Sequence, residues 1–307
     1  MRTAFIRTLS ALAEKDKNVW LVTGDLGFSV FENFIRRFPK QYLNVGVAEQ
    51  NLIGVSAGLA LSGKRPFAYS ISTFASMRAY EQIRNDLCYQ DLPVAIIAGG
   101  SSFSYSTFGC THFPMEDFAI MRALPNMTVI SPGDPLEVEA LLKGMNKLRG
   151  PSYMRIAKKG EPTVHTTKSS IALGKVALLE SGEDAAIIAT GRILPSAQMA
   201  AEILKGRGIR ASVVSCHTLK PLDARGLLAA LKGKKVIATC EEHHEIGGLG
   251  GAVSELIAKN GITSRFLSIA IPDEFPSGVG SQEYFLERYH LTPEGISRKV
   301  EKAFRAK

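Results

Sequence analysis

The chain lacks any apolar run near the roughly 18 residues needed to cross a bilayer. It also lacks tandem repeats and low-complexity tracts. Its four cysteines, Cys88, Cys110, Cys216 and Cys240, form no CxxC pair, and their apolar or turn settings suit buried thiols in a reducing cytoplasm. Lys and Arg number 37 against 29 Asp and Glu, a net charge of +8, yet no long basic block or RNA-binding aromatic signature gathers them. Nucleic acid is therefore the weakest reading of the positive charge, behind an anionic substrate and an acidic partner. The opening MRTAFIRTLSALAEK has no acid before Glu14. Arg7 interrupts its apolar stretch, and the spacing predicts an ordinary amphipathic helix from about Arg2 to Lys15 rather than a signal segment.

What is present points to an α/β protein. A length of 307 residues suggests about two domains, and 45% hydrophobic with 21% charged residues supplies enough apolar matter for real cores. In the first half VWLVTGD, RPFAYSI, PVAIIAGG and MTVISPGD read as strands, alternating with helical FENFIRRF, AEQNLIGVSAGLALSG, ASMRAYEQIRNDLC and PLEVEALLKGMNKL. Such alternation implies a mostly parallel sheet flanked by helices, with ligands at the strand carboxyl ends where TGD, SISTF and AGGSS fall. Periodicity collapses over 158–175, the expected linker between a first domain at 1–157 and a smaller α/β domain at 176–307.

One carboxylate stands out. In NVGVAEQNLIG, Glu49 lies at the start of a helix rich in small residues. Pattern alone favours a first-turn glutamate stabilised by the helix dipole; the alternative is a buried carboxyl with a raised pKa, able to share a proton with a ligand ring nitrogen.

The neighbouring words decide between them. GDLG, NVGVAEQNLIG, SISTFASMRAYEQIRND, GCTHFPMEDFAIMRALPN, KPLD and EEHHEIGGLGG follow one another in an order and spacing that resemble the pyrimidine-binding and carboxy-terminal domains of transketolases, over essentially the whole chain. The likeness is greatest to the carboxy-terminal subunit of split, two-chain transketolases. It implies that Glu49 hydrogen-bonds N1′ of the aminopyrimidine of thiamine diphosphate, its carboxyl kept near neutral by apolar walls, and so activates the cofactor. It places Phe74 on the aminopyrimidine face, Ile71 in the same pocket, and Asp25 and Leu26 near the cofactor at a subunit interface. His112, in GCTH, matches a histidine beside the reacting carbon. Arg2, Ser29 and Arg155 match contacts to a sugar phosphate.

Two departures separate this chain from sugar transketolases: Phe108 replaces an aspartate that contacts a substrate hydroxyl, and Gly100 replaces a substrate histidine. With Phe103 and Tyr105, they make the loop more aromatic than a polyol site needs, which puts the ordinary pentose phosphates in doubt. The diphosphate and metal word, GDG followed by asparagines, is absent; Gly24 and Asp25 with Asn51 imitate it, but Leu26 stands where the last glycine belongs. EEHH does not converge as metal ligands on a helix do. The resemblance thus implies an amino-terminal partner subunit carrying thiamine diphosphate's diphosphate with Mg2+ or Ca2+, in an α2β2 assembly with no role for nucleic acid or membrane. The reaction implied is ketol transfer from an anionic ketose to an aldehyde. The β subunit of a 2-oxo acid dehydrogenase E1 and a non-catalytic subunit of the same fold are the alternatives.

Overall fold

The computed structural model describes residues 1–158, 160–166 and 170–306. The amino-terminal half contains β1 (Val19–Thr23), β2 (Tyr42–Asn44), β3 (Arg65–Ile71), β4 (Ala95–Gly99), β5 (Thr128–Ile130) and β6 (Ser152–Ile156). Its helices are α1 (Arg2–Lys15), α2 (Glu32–Arg37), α3 (Glu49–Leu61), α4 (Tyr80–Gln82), α5 (Asp117–Ala123) and α6 (Pro135–Met145). The second half contains β7 (Ala177–Glu180), β8 (Ala185–Ala189), β9 (Ala211–Ser215), β10 (Thr218–Lys220), β11 (Val236–His244) and β12 (Arg265–Ile271). Around them lie α7 (Leu194–Gly206), α8 (Ala224–Leu231), α9 (Leu249–Lys259), α10 (Gln282–Arg288) and α11 (Pro293–Arg305). None of the described helices is long and apolar enough to cross a membrane.

The strands form two sheets, ordered β10-β5-β6-β4-β3-β1-β2 and β12-β11-β8-β9-β7. Both are parallel except at one edge each, where β10 and β7 run antiparallel. Central strands such as AIIAG of β4 and AAIIA of β8 are buried along their whole length, as helices on both faces require. Because β1, β2, β3, β4 and β6 are mutually parallel, the segments that follow them emerge at one edge of the sheet.

Two features depart from the expected layout. The first sheet is completed by β10, contributed by the second half, so one apolar cluster runs from Ile96 and Phe118 through Leu219 to Ile188 and Ile237. The stretch expected as one regular helix from Ala75 to Cys88 is wound wide at both ends, with π turns at Phe74–Arg78 and Ile83–Cys88 around the short α4. Such turns are frequent at functional sites.

The two halves are joined by buried polar groups. Arg155, on β6 and only 1% exposed, donates from Nη1 to Asp117 Oδ1 and Pro114 O, both at 2.9 Å, and from Nη2 to Glu242 O at 3.0 Å. Its guanidinium lies 3.7 Å from the Phe118 ring centroid, and Tyr153 donates to the second Asp117 oxygen at 2.6 Å. Arg155, which the resemblance assigns to a sugar phosphate, here gives both Nη nitrogens to protein acceptors, while its buried Nε has none among the described residues. A second junction sits at the start of α6, where Asp134 caps the helix and contacts His165 Nδ1 at 3.1 Å. Glu137 accepts from Ser215 Oγ at 2.6 Å and lies 3.3 Å from His165 Nε2. His217 is buried beside this group, its Nδ1 3.0 Å from Thr218 Oγ1.

Breaking a buried ion pair leaves a charge without compensation. Arg155→Met is therefore expected to lower unfolding stability in urea by about 3–5 kcal/mol; Arg155→Met combined with Asp117→Leu should cost less than the single change. Burial, with nearby His165 adding to it, lowers His217 to about 4 from its ordinary 6.5. The folded chain keeps this imidazole neutral while the unfolded chain protonates it, so its contribution is full above pH 6.5 and is lost as the pH falls toward 4. The stability of wild type relative to His217→Gln should accordingly decline on acidification through that window, by up to about 1.4 kcal/mol per pH unit.

Candidate active site

At the carboxyl edge of the first sheet, α3 begins at Glu49 itself. Its side chain is 1% exposed, although the residues on either side of it are not buried. Ser70, next to the end of β3, donates its hydroxyl to Glu49 Oε1 at 2.8 Å. Arg78 Nη1 donates to Oε2 at 2.6 Å. The Arg78 guanidinium also lies 4.5 Å from the Phe74 ring centroid, so one planar cation touches both the buried acid and the aromatic face. The π turn that begins at Phe74 and ends at Arg78 brings the two side chains together.

This alters the expected electrostatics. The carboxylate does not rest among apolar walls alone; a hydroxyl and a half-exposed guanidinium hold it. A buried carboxylate needs such partners, because leaving one unpaired costs several kcal/mol. Arg78 was not singled out in the sequence; its only signal there was its place four residues after Phe74.

Phe74 is half-buried, and its ring meets that of His112 edge to face at 5.1 Å. His112 ends a short 3-10 turn, with Nδ1 3.0 Å from Thr111 Oγ1 and its ring stacked at 5.1 Å on Phe108. Burial lowers its pKa, which favours the neutral imidazole at neutral pH. The loop carrying it is held from the other domain: Phe103 stacks on Phe285 of α10 at 4.6 Å and meets Phe113 edge-on at 5.2 Å. A cleft of about 440 Å³ opens alongside, lined by Phe74, Met77, Arg78, Cys110, Phe113 and Phe275 among others. Ile71, at the end of β3, is half-buried three residues before Phe74.

The remaining expected residues divide. Asp25 is exposed, with φ +58°, and exchanges two hydrogen bonds with Asn44: Asn44 Nδ2 donates to Oδ1 at 2.9 Å, and the Asp25 N–H donates to Asn44 Oδ1 at 3.0 Å. Leu26 packs partly into the core, while Ser29, with φ +63°, is exposed and donates its N–H to Glu32 at 2.6 Å. Arg2 is half-buried, its Nε donating to the Lys158 carbonyl at 2.9 Å. Lys158 was not singled out in the sequence; its Nζ lies 4.9 Å from the centroid of the Tyr105 ring, which is itself 6.2 Å from that of His112. Lys158, with Arg2 bonded to its carbonyl, thus lies beside Tyr105 of this loop, while Arg155 holds the loop from its buried side through the Pro114 carbonyl.

Elsewhere, EEHH is spent on structure. Glu241 accepts from the N–H groups of Leu249 and Gly250, both at 2.7 Å, and so caps α9, while Arg122 anchors the Gly247 and Gly248 carbonyls. Around the site the edge is apolar: Phe28, Val47, Phe108 and Phe275 are each more than 60% exposed.

The chain belongs to the transketolase family. Residues 1–161 match the transketolase pyrimidine-binding domain, and residues 174–296 the transketolase C-terminal domain. A Methanocaldococcus jannaschii chain whose name places it as the C-terminal section of a transketolase is 40% identical over 303 residues, covering 98% of this chain and 95% of that one. The 6-deoxy-6-sulfo-D-fructose transketolase subunit SqwH of a Clostridium species is 34% identical, covering 97% and 92%. A solved split-gene transketolase, described as an inactive β4 tetramer, superposes with a TM-score of 0.89 at 35% identity, covering 99% of this chain and 97% of that one.

The Arg78–Glu49 contact is open to a double-mutant cycle. Arg78→Met is expected to cost about 1–2 kcal/mol of unfolding stability in wild type and clearly less in a Glu49→Gln background, a coupling of about 1 kcal/mol. A coupling near zero in urea titrations would show that the contact carries no energy.

Proposed function

Because the chain belongs to the transketolase family, as the counterpart of the carboxy-terminal subunit of split enzymes, we propose that it forms one half of a thiamine diphosphate-dependent active site. The reaction proposed is transfer of a two-carbon ketol unit from an anionic ketose to an aldehyde. The observation that carries this reading is the buried Glu49 carboxylate, linked through Arg78 to the Phe74 ring.

The residues present fit the aminopyrimidine end of the cofactor. A planar, nitrogen-bearing group already lies against Phe74 and donates to Glu49 in the form of Arg78, and an aminopyrimidine presents the same flat face and ring nitrogen. When bound, thiamine diphosphate supplies the carbanion chemistry at its thiazolium carbon. Glu49 holds the hydrogen bond at N1′, Ser70 fixes its other oxygen, and Phe74 with Ile71 orients the ring. His112, kept neutral by burial, is placed to hydrogen-bond the substrate oxygen at the reacting carbon or to relay its proton. Arg2 and Lys158, with Ser29, receive the distal anion; the sulfonate in the name of one relative is such a group. Asp25 and Leu26 face the edge where the other subunit would bring the diphosphate and its Mg2+ or Ca2+.

A partner is part of the reading. The exposed apolar side chains around the site form the kind of surface that protein interfaces cover, and the solved relative made of this kind of chain alone is described as inactive. An α2β2 assembly follows the same logic.

The test is reconstitution with the amino-terminal subunit. Ketol transfer is expected to require both chains and added thiamine diphosphate, and Glu49→Gln should reduce it by about 10³-fold. Release of carbon dioxide from a 2-oxo acid, or a Glu49→Gln complex as active as wild type, would contradict the proposal.

A further inference from the structure

We propose that Tyr105 is a specificity-determining residue of this site: its ring, seated on Gly100, forms the wall between the reacting end at His112 and the anionic end at Arg2 and Lys158, and it excludes longer, more fully hydroxylated ketoses. The inference rests on the ketol-transfer reading and adds the selection of substrate by chain length.

The seat is built at the end of β4. Gly100 has φ +97°, and a β carbon added to it would lie 2.4 Å from Cε2 of Tyr105. Any other residue there would meet both backbone strain and the tyrosine ring. Gly99 makes the same allowance for Tyr69, whose hydroxyl would be 2.5 Å from an added β carbon. The two glycines of AGG thus admit two tyrosine side chains to the carboxyl edge of the sheet.

Tyr105 then occupies a central position. Its ring centroid is 6.2 Å from that of His112, 6.2 Å from that of Phe108 and 4.9 Å from Lys158 Nζ. Lys158 is tied to Arg2 through its carbonyl. A ketose with its carbonyl end at His112 and its anion at these cations would therefore pass the Tyr105 ring. Burial raises the phenol pKa while the charge of Arg2 opposes it, so the hydroxyl stays protonated at neutral pH. The wall accordingly offers one hydroxyl and an aromatic face. Each substrate hydroxyl that meets the face instead of a polar group loses a hydrogen bond on binding.

The wall is also stiff. Tyr105 belongs to the 3-10 segment Ser102–Phe108, kinked at Phe103 and Tyr105, and this segment is pinned through Phe103 to Phe285 of α10. The carboxy-terminal domain thereby holds the ring in place.

The test uses the reconstituted two-chain holoenzyme with four donor probes: xylulose 5-phosphate, fructose 6-phosphate, 6-deoxy-6-sulfofructose and sedoheptulose 7-phosphate. Tyr105→Ala is expected to raise kcat/KM for the heptulose relative to the shortest accepted donor by about tenfold or more, the scale on which pocket walls discriminate. Cofactor affinity, read by titration calorimetry, should stay within about twofold, which shows that the loop is intact. Tyr105→Phe separates ring from hydroxyl and should keep the length preference. Gly100→Ala should shift the preference in the same direction, and the shift should shrink in a Tyr105→Ala background. An unchanged donor ratio in Tyr105→Ala with normal cofactor affinity overturns this inference alone. Absence of ketol transfer from all four probes by the wild-type complex overturns the reading beneath it as well.

Discussion

A carboxylate removed from water has to be held by something. At Glu49 the holders are Ser70 and Arg78, and each depends on a different part of the fold. Ser70 comes from a central strand whose neighbours fix its register, so its hydroxyl arrives from a rigid direction. Arg78 comes from a π turn, a local widening that brings a guanidinium over Phe74. The pair leaves the acid hydrogen-bonded at both oxygens, with the same guanidinium lying over the Phe74 ring. In the proposed reading an aminopyrimidine would take the two contacts that Arg78 makes here, to Glu49 and to the Phe74 ring.

The second organising constraint is the way the two halves share polar groups. Arg155 binds Asp117 on its own side and the Glu242 carbonyl on the other, β10 completes the first sheet, and Phe285 pins the histidine loop. The carboxy-terminal domain therefore does more than add mass beside the site. It fixes the loop that carries His112, while the amino-terminal domain fixes Glu49, Ser70 and Arg78.

Much of this was legible in the sequence. The span of α1, the start of α3 at Glu49, and the strands that end in TGD, SISTF and AGG all follow from periodicity, because long buried strands and amphipathic helices repeat regularly. What escaped has physical reasons. A single π turn is too short to show a period of its own, so nothing in the pattern singled out Arg78. β10 is three residues long, too short for a period to show, and its partner strand lies far away in sequence. A strand ending in arginine looks the same whether that arginine meets a phosphate or a buried aspartate 38 residues away; only the fold shows Arg155 beside Asp117. Lys158 escaped because it sits where the pattern dissolves into a linker.

The central claim is that this chain holds half of a cofactor site. Calorimetric titration of thiamine diphosphate with magnesium tests it most directly, into this chain, into the amino-terminal subunit and into the reconstituted pair. The account predicts tight, saturable binding by the pair and much weaker binding by either chain alone. Equal affinity for the isolated chain and the pair would contradict it.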